Sequence, residues 1–464
     1  MPSRQDQLHS YQYSLQRVVA ALVSHDPDPA RSPLRRAGTT ALVSLLIASL
    51  AVGAAAIYGL LTGHSNVEPK DPKVVFQEKG TGARYVYLES DAKLHPVLNY
   101  TSGLLLANAE APELKGISAE KLATVPQGAP LGIPDAPDSL PAKAALITGR
   151  WSVCTDNQGE EDTPRSTLLV GDKLTDGAVA ARTGEALLIR EPEGRTAVVY
   201  NNRRFSIPGD RLTATLRVLG WAGKDPWPVS TAWANAVPLA RNLVAPKIPE
   251  VGSPSQVSGF RVGDLVTDSG KGFAVIMPDG AADLTEVQAK LMQAVPGVEA
   301  PRAIGNEFIQ LPASKTRISD AGAPDGLPVT VPKLHDTAPG RVCMTLPIDD
   351  KAGDGIRIDP TVPTGVEVES SASDNGVALA DLVHIPRGKG VLAVQASSPT
   401  APADSGTVSV VTDTGRNFPL ASRAIISKLG YGGVKPVQIP SELVAMLPRG
   451  PALDPARARQ TDVQ

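Results

Sequence analysis

The chain has 464 residues and is nearly neutral, with 45 lysines and arginines against 48 aspartates and glutamates. This balance excludes a strongly basic nucleic-acid-binding protein and a chain with a long solvated acidic tail. The 42 glycines, 42 prolines and few aromatic residues favour many short elements joined by turns over one large aromatic core. The length is sufficient for about two to four domains.

The most informative segment lies near the start of the chain. Residues 37–63 contain no charged side chain, and their most apolar part, Ala41–Leu61, has 21 residues. As an α-helix this part spans about 31 Å, which matches the roughly 30 Å hydrocarbon core of a bilayer. A cleaved signal peptide has a shorter apolar stretch closer to the N-terminus, and a buried core helix is the other alternative. We therefore predict a single transmembrane helix at 37–63.

The charges on either side of this segment predict its orientation. Residues 1–36 carry five arginines and three aspartates, and the charges that follow the apolar run cancel. The positive-inside rule therefore predicts a cytoplasmic N-terminal tail at 1–36 and an extracytoplasmic location for everything after residue 63, in a single-pass plasma-membrane protein.

The predicted cytoplasmic tail contains an amphipathic pattern. Five apolar residues recur at spacings of three and four, which places them on one face of a helix: Leu8, Tyr11, Leu15, Val18 and Leu22. A tail of 36 residues has no core of its own to cover this face. We expect it to dock onto a partner protein or onto membrane lipid, the alternative being a free solvated helix.

The remaining sequence repeats one local pattern, which is an apolar strand, a tight acidic or glycine turn, and a second apolar run. The four copies begin at Tyr85, Ala186, Gly272 and Val408. Asp-Gly and Glu-Gly pairs are typical of hairpin turns, because they tolerate a positive φ. The uneven spacing of the copies excludes a strict solenoid and favours separate repeat modules around inserted material.

We predict an α+β protein in which four small α/β repeat modules form an elongated domain around a mainly-β central domain. The predicted segments after the membrane helix are 64–125 for repeat module 1, 126–142 for a Pro-rich connector, 143–178 for the first part of the central domain, 179–245 for module 2, 246–317 for module 3, 318–401 for the second part of the central domain, 402–447 for module 4 and 448–464 for a loose polar C-terminal tail.

The chain has two cysteines, Cys154 and Cys343, and both follow the predicted membrane helix. Disulfides persist outside the cytoplasm. A bridge would close a loop of about 190 residues and tie distant parts of the chain together. Two free thiols are the alternative.

No segment matches a catalytic, cofactor-binding or metal-binding signature. Three Gly-Lys pairs begin at Gly223, Gly270 and Gly388, but none is followed by the Ser or Thr of a phosphate-binding loop. Three matches to short protease motifs are typical of turns: Asp268-Ser269-Gly270, Asp404-Ser405-Gly406 and Asp413-Thr414-Gly415. The histidines show no HxxxH or HExxH spacing: His9, His25, His64, His95, His335 and His384. We expect no catalytic residue, no cofactor and no metal.

Taken together, several stretches resemble the EccB family, a core membrane component of the actinobacterial type VII (ESX) secretion system. They lie in the tail (14–23), before the predicted connector (93–102), within it (132–141) and near the end (429–436 and 448–451). The likeness covers essentially the full length. It implies four repeat modules, a central domain with a disulfide, and self-association of the extracytoplasmic domains.

The resemblance also implies partners, namely the ATPase EccC, the channel-like EccD, EccE and the mycosin protease, with contact to peptidoglycan as a further implication and no nucleic acid. Members of the family are described as ATPases. Two functions therefore compete with that of a secretion scaffold: an anchored peptidoglycan-binding module that works alone, and a nucleotide hydrolase.

Overall fold

The computed structural model describes residues 3–25, 33–62, 67–157, 163–171, 174–323, 325–347, 355–370, 372–373, 376–397, 402 and 405–460. The N-terminal region contains two helices, α1 (Arg4–Ser24) and α2 (Pro33–Thr62). Ser3 caps α1, since its hydroxyl accepts from the Asp6 N–H while the Asp6 carboxylate accepts from the Ser3 N–H. Pro33 suits the first position of α2, where its missing N–H costs no hydrogen bond.

Helix α2 contains the one candidate membrane span among the described residues. The span runs from Gly38 to Gly59, has a mean hydropathy of 2.3 and is not buried by the rest of the protein. The hydroxyl groups of Ser44 and Ser49 bond back to backbone carbonyls one turn earlier, so both are accommodated in an apolar helix.

The elements that follow come in six groups along the chain. The first two groups are β1 (Val74–Glu78), β2 (Arg84–Leu88), β3 (Lys93–Pro96), α3 (Tyr100–Leu106), β4 (Glu113–Ile117) and α4 (Ala119–Leu122), and then β5 (Trp151–Asp156), β6 (Arg165–Val170), β7 (Ala178–Val179) and α5 (Ala180–Thr183). The third and fourth are β8 (Glu185–Arg190), β9 (Thr196–Tyr200), β10 (Arg203–Ile207), α6 (Leu212–Val218), β11 (Trp227–Pro228) and α7 (Thr231–Ala236), and then β12 (Leu265–Thr267), β13 (Phe273–Met277), β14 (Gly280–Leu284), α8 (Glu286–Gln293) and β15 (Arg302–Ala303). The last two are β16 (Lys333–Leu334), β17 (Arg341–Leu346), β18 (Ile356–Ile358), β19 (Val366–Glu367) and β20 (Leu382–His384), and then β21 (Gly390–Ala396), β22 (Val408–Thr412), β23 (Asn417–Pro419), α9 (Ile425–Lys428), β24 (Val437–Pro440), α10 (Ser441–Ala445) and α11 (Pro455–Ala458).

Four sheets share one strand order. They are β3-β2-β1-β4, β10-β9-β8-β11, β14-β13-β12-β15 and β23-β22-β21-β24, and we call them with their helices the first, second, third and fourth unit. In each unit three antiparallel strands follow one another, a helix crosses over, and the fourth strand pairs parallel to the first. The second sheet is extended by β16, which pairs parallel with β8.

A seven-stranded sheet, the central sheet, has the order β19-β20-β6-β5-β17-β18-β7. Its strands come from two stretches of chain that lie before and after the second and third units. The second and third units are therefore inserted into the central sheet, and the central sheet is itself inserted between the first and fourth units.

Shared cores join these parts. One core combines the central sheet with the second and fourth units, and its largest fully buried side chains include Trp151 and Trp233. A second core combines the first and fourth units, and a third combines the second unit with α8 of the third. Because each core draws on more than one unit, the hydrophobic effect that folds the units also fixes how they sit together.

The structure differs from the predicted segments in two places. Strand β21 lies within 318–401, yet it pairs with β22 and β24 of the fourth unit, so this sheet crosses the boundary at residue 402. The predicted loose tail is ordered through residue 460, because Leu453 and Ala458 are fully buried and Leu453 bonds to Pro419. Residues 461–464 lie outside the described residues.

Candidate functional sites at the joints of the fold

The cysteines meet in the middle of the central sheet. Strands β5 and β17 pair antiparallel over six residue pairs, and Cys154 lies directly opposite Cys343 with 3.9 Å between the Cα atoms. The two residues form a disulfide across a sequence separation of 189, and both are fully buried. At one end of this strand pair, the Arg341 guanidinium donates to the Asp156 carboxylate at 2.9 Å. The bridge therefore links the two separate stretches of chain that build the central sheet.

A second type of joint is a short proline-containing segment that hydrogen-bonds to the third strand of every unit. In each unit a proline carbonyl accepts from the backbone N–H of that strand, and the N–H two residues after the proline donates back to the same strand residue. The bonded strand residue and proline are Leu94 and Pro126 (2.9 Å), Arg204 and Pro238 (2.9 Å), Ala281 and Pro312 (2.7 Å), and Asn417 and Pro448 (2.9 Å). The returning N–H groups belong to Gly128, Ala240, Ser314 and Gly450. We call these four segments the closing segments.

Sequence reasoning missed the closing segments, although they share a signal. Each has a hydrophobic residue, a proline, any residue and then a small residue, at 125–128, 237–240, 311–314 and 447–450. Proline suits this position, because its carbonyl can accept a hydrogen bond from the edge of the strand. Its nitrogen carries no hydrogen, so the pairing does not continue through the proline N–H.

Two of the stretches that carry the family resemblance, at 93–102 and 132–141, fold onto each other in the first unit. The Asn99 side chain caps α3 by accepting from Ser102, and its amide group donates to the Ile133 carbonyl at 2.8 Å. The Ser102 hydroxyl in turn accepts from the Ile133 N–H at 2.9 Å. The Thr101 hydroxyl donates to the Pro137 carbonyl. Because Asn99, Thr101 and Ser102 are buried, these bonds fix the connector against α3.

Asp138 extends this joint to the surface. Its carboxylate accepts from the Tyr100 N–H at 2.9 Å and from the Arg84 guanidinium. Burial acts to raise the pKa of Asp138, but the bonds to Arg84 and Tyr100 outweigh it and hold that pKa below its ordinary value. The Arg84 guanidinium also lies over the Tyr100 ring at 5.7 Å from its centroid.

Polar contacts accompany the apolar core between the first and fourth units. The Tyr431 hydroxyl, which is buried, donates to the Pro141 carbonyl at 2.8 Å, and burial raises the pKa of this phenol. The Lys428 ammonium donates to the Ala107 carbonyl, and its own pKa is lowered by desolvation. These side chains bind the fourth unit to the connector and to the end of α3.

The apolar stripe predicted in the N-terminal tail lies on α1. All five of its side chains are about half exposed or more: Leu8, Tyr11, Leu15, Val18 and Leu22. Helix α1 contacts α2, and Ala20 of α1 is buried. The structure thus brings the five residues together on one solvent-facing side of the helix.

Two of the aspartates in the short protease-like motifs make structural contacts. The Asp268 carboxylate accepts from three N–H groups of its own turn, and these backbone bonds, above all that from Gly272, lower its pKa. Asp413 accepts from the Gly388 N–H. Asp404 and His64 lie outside the described residues. Within the described part of the chain, no group of three or more His, Cys, Asp or Glu side chains is placed to hold a metal ion.

Comparisons with known proteins agree with this architecture. The family model described as "Type VII secretion system ESX-1, transport TM domain B" matches residues 1–463. The ESX-2 secretion system ATPase EccB2 of Mycobacterium tuberculosis is 24% identical over 97% of this chain and 93% of its own length. The ESX-3 secretion system ATPase EccB3 of the same organism is 25% identical over 97% of this chain and 88% of its own length.

Two solved structures share the fold. A chain of an intact ESX-5 inner membrane complex superposes with a TM-score of 0.65 at 22% identity, covering 99% of this chain and 95% of the other. The EccB3 dimer from the ESX-3 core complex superposes with a TM-score of 0.62 at 22% identity, covering 83% of this chain and 100% of the other. With a family model that matches nearly every residue and a fold shared with these chains, the protein belongs to the EccB family of type VII secretion system membrane components.

Proposed function

We propose that this protein is a structural core subunit of a type VII (ESX) secretion machine, which anchors and assembles the plasma-membrane complex through its large C-terminal domain. The observation that carries the proposal is the likeness to a chain of an intact ESX-5 inner membrane complex, which extends over 99% of this chain. The disulfide, the shared cores and the polar contacts suit this role, because they join the five sheets to one another.

The proposed orientation places residues 1–36 in the cytoplasm and the domain that begins near residue 67 outside. It is supported by the excess of arginine over aspartate before the membrane helix. The disulfide agrees with an oxidising compartment for the domain.

We also propose that the four units are copies of one repeat module. The shared strand order and the closing segments support this proposal. The second and fourth units share a further turn: Gly220 and Gly430 follow the crossover helix in the left-handed region, and Trp221 and Tyr431 donate back into that helix. In this proposal module 4 begins with β21, at about residue 390, and the segment 402–447 is only its later part.

Partners follow from the family and the stripe on α1. We propose that the protein joins EccC, EccD and EccE, lies near a mycosin protease and associates with copies of itself through the extracytoplasmic domain. The stripe on α1 would dock onto another subunit of this complex. ATP hydrolysis, which the names of the relatives suggest for them, is not part of the proposal, since no Gly-Lys pair in the sequence is followed by Ser or Thr.

The assembly proposal is tested by purifying the tagged full-length protein from its native membrane in mild detergent and identifying the co-purifying proteins by mass spectrometry. Recovery of an FtsK-like ATPase and a multi-span membrane protein in defined ratio is the expected result. A protein that comes alone and instead sediments with purified cell wall would overturn the proposal in favour of a peptidoglycan-binding module.

The docking role of α1 has its own test. The double variant Leu15→Asp and Val18→Asp places two charges on the stripe, and we expect recovery of the partners to fall at least tenfold, because a buried unpaired carboxylate opposes association. Gln16→Asp, on another face of the same helix, is the matched control and should leave recovery unchanged. Equal recovery from all three proteins, with equal membrane insertion, would contradict the docking role.

A further inference from the structure

The third strand of the first unit carries a buried histidine that touches its closing segment. His95 is 6% exposed. Its Nδ1 lies 2.8 Å from the Ala129 carbonyl oxygen, and its Nε2 lies 2.9 Å from Oδ2 of Asp91. The ring therefore bridges the β2–β3 turn and the start of the Pro-rich connector.

Both groups that face the ring are acceptors. A backbone carbonyl and an ionised carboxylate have no proton to give, so each of the two bonds requires an N–H on the imidazole. A neutral imidazole has only one N–H, and a ring with both bonds intact is therefore an imidazolium. Loss of the proton removes one bond and leaves a ring nitrogen and an acceptor oxygen facing each other in a buried place.

In two of the other units the position equivalent to His95 holds a ring that does not titrate. His95 follows the strand residue bonded by the closing segment, and the equivalent residues of the second and fourth units are Phe205 and Phe418, both buried. The small residue of the closing segment covers the ring in the same way, since a Cβ added at Gly128 would overlap His95 and one added at Gly450 would overlap Phe418. The first unit thus has a titratable ring at a position where two sister units have an apolar ring of similar shape.

Few other charges act on this ring. The Asp91 carboxylate accepts the hydrogen bond from the His95 ring directly. Lys93, which lies on the same strand as His95, interacts with Asp91 from the exposed side. Glu89 in the same turn bonds to Asn108 instead. The residue opposite on β2 is Val86, and residues 127–129 of the connector carry no titratable side chain.

Asp91 sets the acid limit of this arrangement. Desolvation acts to raise the pKa of Asp91, but the bond and the charge of His95 hold it below its ordinary value. A carboxyl with a lowered pKa contributes stability that is present above its unfolded pKa of about 3.9 and is lost as the pH falls. The arrangement is therefore closed where Asp91 is ionised and His95 is protonated, and it opens above that range.

We propose that His95, Asp91 and the Ala129 carbonyl form a proton-operated latch that holds the connector against the first unit when His95 is protonated and loosens it as the pH rises. The connector leads on to Pro141, which accepts from Tyr431, so the latch lies at the start of the segment that reaches the joint between the first and fourth units. The inference rests on the proposed orientation in one respect only, which is the compartment whose pH the latch senses.

Amide hydrogen exchange of the full-length protein in detergent micelles tests the latch, and it needs no secretion partner. The Gly128 and Leu131 N–H groups donate to strand β3 on either side of His95, and the Ala240 and Leu243 N–H groups make the equivalent bonds in the second unit. After correction for intrinsic rates, we expect the protection of the first pair relative to the second to fall about tenfold between pH 5.5 and pH 9. A constant ratio in the wild-type protein would overturn the proposal.

The variant His95→Phe gives the first unit the ring of its sister units, so it is expected to fold and to hold the ratio constant over the same pH range. The same tenfold fall in this variant would overturn the proposal. Should the variant not fold, 15N NMR of the histidine-labelled wild-type protein decides, with Asp91→Asn to identify the His95 signals by their shift. Two protonated ring nitrogens at pH 6 are expected, and a neutral His95 ring at that pH would refute the latch.

Discussion

The disulfide should contribute a large part of the stability of the central sheet. Cys154 and Cys343 are 189 residues apart, and a cross-link that closes so long a loop lowers the entropy of the unfolded chain. The chain-entropy relation gives about 5 kcal/mol at 25 °C for a loop of this length. We therefore expect the double variant Cys154→Ala and Cys343→Ala to lose about that much free energy of unfolding.

Tryptophan fluorescence during urea unfolding of the full-length protein in detergent measures this loss selectively. All four tryptophans are buried in the central sheet or the second unit, at Trp151, Trp221, Trp227 and Trp233. Reduction of the wild-type protein is the matched control, because it opens the bond without removing a side chain, and it should reproduce most of the loss. A difference below about 1 kcal/mol between oxidised and reduced protein would refute the reasoning, since it is far under the loop-closure estimate.

Two further predictions concern the joint between α3 and the connector. Asn99→Ala removes a helix cap and leaves the Ile133 carbonyl without its donor, so amide exchange in the first unit should report a loss of about 2 kcal/mol; exchange at the wild-type rate would contradict the contacts described. Asp138 has a lowered pKa, so its contribution is complete above the unfolded value of about 3.9 and is lost as the pH falls. Asp138→Asn should therefore destabilise the first unit near neutral pH and reduce its sensitivity to acid. Acid unfolding of the variant that matches that of the wild type would contradict a stabilising role for the Arg84–Asp138 ion pair.

The membrane helix and the tight turns could be predicted because their signals are local. An uncharged run long enough to cross a bilayer needs no partner to be recognised, and the structure places a single helix, Pro33–Thr62, over it. Strand β21 shows the opposite case. Its sequence resembles one more apolar strand of the central region, and its pairing with β22 and, some forty residues later, with β24 assigns it to the fourth unit. Pairing at such a distance leaves no mark in the local pattern.

The packing of the units on the central sheet correlates with the residue at one position just before each closing segment. Four residues before its first hydrophobic residue, the second and fourth units have Trp233 and Leu443, both fully buried in the shared core. The first and third units have Lys121 and Glu307 there, and within the described residues neither unit contributes a side chain to that core. The residue type at this position distinguishes the two units that contribute to the shared core from the two that do not. The position can be recognised only after the four units have been aligned by their closing segments.

The contact between α11 and α3 has a consequence for how the chain matures. Leu453 and Ala458 complete the same core as Leu104 and Leu105, which lie about 350 residues earlier in the chain. During synthesis the first unit must therefore keep one apolar face uncovered until residues 453–458 have been made. A product that stops before residue 453 would keep that face bare, which is the kind of surface that chaperones and proteases recognise. Closure of the core of the first unit therefore requires that the chain has been made at least through residue 458.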